Sequence, residues 1–135
     1  MTSELLKRGY LVTAVDRAVL DERLARAKGL EFFREDVGQF VPKKGSMFEA
    51  LLSDMNNDPR EAMRQVARLS VFVKPGGLVI FTLKTTGAES VSAINTLYRD
   101  VTAIAEKAEL RLIAQTHLTY NRQEFTLFFE RLNRR

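Results

Sequence analysis

An α/β fold with a mostly parallel sheet and a C-terminal antiparallel hairpin is what this sequence predicts. Three observations carry that expectation. Apolar, β-rich runs alternate with helical stretches along the 135 residues, as parallel strands joined by helical crossovers require. The last two runs, Leu110–Leu118 and Phe125–Arg131, are separated by only about six residues. That is too short for a helical crossover, so they should pair antiparallel. No internal repeat, low-complexity stretch or linker interrupts the chain, so residues 1–135 are expected to form a single domain.

The elements follow in order. Ser3–Gly9 reads as the last turns of a helix closed by a glycine. Tyr10–Val15 is a β-rich run ending at Asp16. A short helix is expected around Val19–Ala27, broken by Gly29. Leu30–Phe33 is a short strand leading into Arg34-Glu35-Asp36, and Pro42–Ser46 is a polar loop. Phe48–Ser53 is a strand ending at Asp54.

Asn57-Asp58-Pro59 is a strong helix start, with Asp58 as the cap and Pro59 in the first turn. That helix should run to about Phe72 with Met63, Val66, Ala67 and Val71 on its apolar face. Val73–Gly77 reads as a turn, and Leu78–Leu83 as a nearly all-apolar strand covered on both faces. Val91–Ala108 is a long amphipathic helix. The two final strands are joined through the polar segment Thr119–Glu124.

Composition narrows the function. Hydrophobic residues make up 45% of the chain, enough for a real core. No apolar run approaches the ~20 residues of a membrane-spanning helix. No secretory signal is evident near Met1. The absence of cysteine excludes disulfides, thiol nucleophiles and cysteine-bound zinc, and suits a cytoplasmic protein. The single histidine, His117, argues against a histidine-rich metal site. A net charge of +4 favours a polyanionic partner. The basic residues are dispersed, however, and solvated helix faces explain them equally well.

The chemistry concentrates at strand ends. Ligands of open α/β sheets bind outside the carboxyl ends of the parallel strands. Asp16, Asp36, Asp54 and Lys84 each follow a strand there. Asp16 is placed to accept hydrogen bonds from a ribose diol, although each acid alone reads as an ordinary turn residue. Asp58 suits the cap of the following helix better than Asp54, which frees Asp54 for another role. Asp54, Lys84 and Glu124, at the edges of three apolar segments, are expected to meet at one rim. An acid, an amine and a second acid there suit activation of a hydroxyl.

Leu52-Ser53-Asp54-Met55, Phe81-Thr82-Leu83-Lys84 and Arg122–Leu127 resemble the later motifs of the FtsJ-like S-adenosylmethionine-dependent RNA ribose 2′-O-methyltransferases. The branch that modifies a cytidine of large-subunit ribosomal RNA is the most similar, through Lys7-Arg8-Gly9 and Val12–Asp16. The resemblance implies a Rossmann-like methyltransferase sheet, S-adenosylmethionine as cofactor and a ribosomal RNA substrate. It also implies roles. Asp54, Lys84 and Glu124 match three members of the family's lysine–aspartate–lysine–glutamate tetrad. Asp16 matches its ribose-binding acid, Asp36 its adenine-reading acid, and Asp54 also lies in the cofactor's neighbourhood.

The sequence also departs from the family. It opens on what resembles the helix after the glycine loop, so the first core strand, that loop and the first tetrad lysine are expected to be missing. The expected alternatives are then that the strands ending at Asp16 and Asp54 pair directly, that another chain bridges them, or that the natural protein is longer, with a homo-oligomer the favoured outcome. By resemblance Lys84 takes the proton of the ribose hydroxyl, while Asp54 and Glu124 orient amine and ribose. With the tetrad's first lysine missing from beside Lys84, two carboxylates favour the charged amine and weak activity. The alternatives are a catalytically silent methyltransferase-fold module that binds RNA or protein, and a small-molecule O-methyltransferase.

Overall fold

The computed structural model describes residues 1–88, 90–117 and 124–133. The chain divides into two compact units, Met1–Val41 and Pro42–Arg135.

The first unit opens with α1, Thr2–Lys7. Its end is the predicted glycine closure. Gly9 adopts φ +86°, and the Gly9 and Tyr10 amides donate to the Leu6 and Leu5 carbonyls at 3.0 and 3.1 Å. Those bonds satisfy carbonyls that a helix end otherwise leaves open. Strand β1 (Val12–Asp16) then pairs in parallel with β2 (Leu30–Arg34), Asp16 lying opposite Arg34.

The helix expected between them is reduced to one 3-10 turn, Glu22–Leu24. Asp21 caps it by accepting the Arg23 amide at 2.9 Å. An isolated stretch this short does not repay the cost of helix nucleation, and the aspartate offers the backbone a local alternative. Beyond β2, a turn at Asp36 brings the Phe40 ring onto Phe33, with centroids 5.1 Å apart.

The second unit is a four-stranded sheet in the order β3-β4-β6-β5. Strand β3 (Phe48–Ser53) runs parallel to β4 (Val73–Lys84). Strand β6 (Glu124–Arg131) is antiparallel to both β4 and β5 (Leu110–His117), so the final hairpin forms as predicted. Helix α2 (Pro59–Leu69) lies in the chain between β3 and β4, and α3 (Val91–Lys107) between β4 and β5. Asp58 caps α2 by accepting the Arg60 amide at 2.8 Å, and Ser90 caps α3 through the Ala93 amide at 3.0 Å. Ala62, Met63 and Val66 of α2 and Leu97, Val101 and Ala105 of α3 form one core with Val79, Phe81, Leu83, Leu127 and Phe129.

Three details differ from the sequence expectation. The α-helix stops at Leu69 and a 3-10 turn, Ser70–Phe72, follows. Leu69, three residues past Val66 on the same helical face, is buried, and beyond it the tighter winding leaves Val71 57% exposed. Strand β4 is fully buried at Val79, Phe81 and Leu83 but only half-buried at Leu78, Ile80 and Thr82, so its two faces are unequally covered. Val73–Gly77 is a bulge inside β4 rather than a turn before it. Phe48 is opposite Val73 and Ala50 opposite Leu78, which leaves Glu49 facing Lys74–Gly77. No strand ladder joins β1 to β3 among the described residues.

The bulge depends on Gly77. A Cβ there would lie 2.5 Å from Val73 Cγ1, 2.7 Å from the Lys74 oxygen and 2.9 Å from the Glu49 oxygen. Two of these atoms are backbone and cannot yield cheaply. Gly77→Ala is therefore expected to destabilise the second unit by about 1–3 kcal/mol. Thermal unfolding followed by circular dichroism should show a midpoint lower by several degrees. An unchanged midpoint would show that the bulge relaxes freely.

Candidate active site

The rim of the second unit is built by strand direction. Because β3 and β4 run parallel, both end on the same side, delivering Asp54 and Lys84 together. Because β6 runs the other way, its first residue, Glu124, falls directly opposite Lys84. Directly opposed residues of an antiparallel pair have Cβ atoms about 4.5–5.5 Å apart on one face. Lys84 Nζ lies 2.9 Å from Asp54 Oδ1. The Lys84 side chain is 17% exposed while Asp54 is 59% exposed.

Such a half-solvated pair contributes at most about 1 kcal/mol to stability. It fixes where an amine sits rather than holding the fold together.

Asn56 was not expected at this site. Its side-chain oxygen accepts a hydrogen bond from Lys84 Nζ. Ser53–Asp58 reads in sequence as a run of helix caps, and Asp58 alone fills that role. Met55 packs against the core. Asp54 and Asn56, on either side of it, are both exposed. A polar–apolar–polar alternation just past a strand end was the available signal.

Asp16 and Asp36 belong to the first unit. Asp16 ends β1, and its Oδ1 accepts the Ala18 amide at 3.0 Å. Asp36 lies two residues past β2. Its Oδ1 accepts the Gly38 amide at 2.9 Å, and its Oδ2 pairs with the Arg17 guanidinium. The Gly38 bond first and the Arg17 bond second hold the Asp36 carboxyl below its ordinary value. The Arg34 guanidinium donates to the Arg17 carbonyl at 3.1 Å, tying the two strand ends together. Of the family-matched motif Arg122–Leu127, Arg122 and Gln123 lie outside the described residues.

Among the described residues, no helix is long and apolar enough to cross a membrane. No family model matches this sequence. The chain is similar to curated proteins described as ribosomal RNA large subunit methyltransferase M. Those of Shewanella baltica and Shewanella putrefaciens are each 27% identical over 141 aligned positions covering 93% of this chain. The chain spans 35% of the length of these relatives.

Among solved structures, Methanococcus jannaschii fibrillarin, a pre-rRNA processing protein, superposes with a TM-score of 0.73 at 11% identity. The match covers 92% of this chain and 57% of that one. Aeropyrum pernix fibrillarin, in complex with natively bound S-adenosyl-L-methionine, gives 0.60 at 14% identity over 79% of this chain and 47% of that one. Burkholderia thailandensis 1,6-didemethyltoxoflavin-N1-methyltransferase gives 0.71 at 13% identity over 98% of this chain and 66% of that one. Identities this low speak for the fold and not for the methyl acceptor. The strand order, the antiparallel end of the sheet and these likenesses together assign the chain the Rossmann-like methyltransferase fold.

Proposed function

We propose that this chain is an S-adenosylmethionine-dependent methyltransferase domain that acts on a ribose 2′-hydroxyl of ribosomal RNA in the cytoplasm. We read residues 1–135 as one domain. The observation that carries the reading is Lys84, ion-paired to Asp54 and in register with Glu124. The similarity to ribosomal RNA methyltransferases across 93% of the chain supports it.

The carboxylates of the first unit suit the cofactor's adenosine. Asp16 is exposed and ends a parallel strand, where it can take ribose hydroxyls. Asp36 keeps acceptor capacity for an adenine amino group, since a carboxylate offers about four lone-pair directions and two are in use. Asp54 serves next to the transferred group. When bound, the cofactor supplies an activated methyl on a sulfonium. The protein's task is to align the ribose oxygen and remove its proton. Lys84 as neutral amine takes that proton and becomes an ammonium, Asp54 holds the amine in place, and Glu124 orients the ribose.

The assay is methyl transfer from labelled S-adenosylmethionine to large-subunit ribosomal RNA. A 2′-O-methyl blocks alkaline cleavage of the adjacent phosphodiester, so label in alkali-resistant dinucleotides is the expected result. Label that is absent, or confined to bases, would overturn the reading.

A homo-oligomer belongs to the same proposal. Strand β1 bonds only β2, and β3 only β4, so each has a backbone row with no strand partner among the described residues. Such edges template association, and buried unpaired groups cost about 1–3 kcal/mol each. Light scattering should report a dimer or larger species. A monomer across a wide concentration range would refute this part alone.

A further inference from the structure

We propose that Asn56 is a positioning residue for Lys84, deepening the reading of this site as a hydroxyl-methylating centre. The neutral amine that receives a proton carries two hydrogens and one lone pair in tetrahedral directions. Asp54 Oδ1 takes one at 2.9 Å, and the Asn56 side-chain oxygen takes a second. Two fixed bonds orient the nitrogen and leave one direction for a substrate hydroxyl.

The choice of a neutral acceptor matters. Among the described residues, the charged groups facing Lys84 are Asp54, past the end of β3, and Glu124, across from it on β6. Both are carboxylates. A carboxylate at position 56 would put a further negative charge against the amine. An amide oxygen gives the same direction without that extra charge. Transfer then balances: the ribose O–H bond breaks as an O–CH3 bond forms, the proton passes to the Lys84 nitrogen, and the sulfonium leaves as a neutral thioether. Asn56 keeps the receiving nitrogen aligned throughout.

Asn56 is exposed and outside regular structure, so its variants should fold. Two variants and two readouts test the proposal. The first readout is RNA methyl transfer. The second is acetic anhydride labelling of Lys84 as a function of pH, followed by peptide mass spectrometry, which requires no activity. Asn56→Ala should lower kcat about 10- to 100-fold through misalignment, with KM for RNA unchanged. Asn56→Asp should move the Lys84 labelling midpoint to higher pH by about one unit or more, with the pH–rate profile following it.

A wild-type kcat in Asn56→Ala, or an unmoved midpoint in Asn56→Asp, would overturn the proposal. If the midpoint moves while the wild-type chain transfers no methyl, the placement of Lys84 by Asn56 stands and the methyltransferase reading falls. If the wild type transfers methyl and the midpoint does not move, only the role of Asn56 falls.

Discussion

Lys84→Ala is expected to reduce methyl transfer by about 100- to 10,000-fold, the range a positioned general base contributes. Stability should hardly change, because the Lys84–Asp54 pair is half-solvated and contributes at most about 1 kcal/mol. Lys84→Arg separates two explanations. Arginine keeps the positive charge and can bond Asp54, but it does not give up its proton in a protein. If Lys84 serves as the base, the arginine variant is as inactive as the alanine one. If its charge alone matters, the arginine variant retains most of the activity, and the base assignment is wrong. Single-turnover transfer at saturating RNA reads the chemical step directly. Asp54→Asn should fall in the same range, because its loss frees the amine to rotate away from the acceptor.

The second large effect concerns stability. Phe129 is 1% exposed at the centre of β6, itself an interior strand, and it packs within the core that α2 and α3 form with the sheet. Phe129→Ala removes a full aromatic side chain from a close-packed site, at a cost of about 3–5 kcal/mol. Domains of this size are typically stable by only about 5–15 kcal/mol. The variant should therefore unfold at a much lower urea concentration and be partly unfolded at moderate temperature. Val91→Ala is the matched control, since Val91 is 74% exposed and should stay within about 0.5 kcal/mol of wild type. If the two variants unfold together, the core does not lie where the burial places it.

Sequence alone determined much of this protein. The alternation of strands and helices, the short link before the last strand and the Asp58-Pro59 cap are local signals. They depend on propensity, side-chain capping and loop length, which neighbouring residues decide. Strand β3 came out at its predicted limits, Phe48–Ser53, and the final pair is antiparallel as its spacing required. The strand ends bearing Asp16, Asp54, Lys84 and Glu124 were legible for the same reason, since an apolar run that meets a charge marks an edge.

What only the tertiary structure decided are matters of register and phase. Lys84 faces Glu124 because β4 and β6 pair in one particular alignment, and a one-residue slip would put the glutamate on the other face. The Gly77 bulge is set by atoms of Val73, Lys74 and Glu49, two of them earlier on the same strand and one on another strand. The stretch at Val19–Ala27 keeps a single 3-10 turn because helix formation this short needs packing that local sequence does not report. Asn56 was hidden most completely: its sequence neighbours suggested a cap, and only the folded β3 and β4 ends brought its oxygen to the amine of a lysine far along the chain.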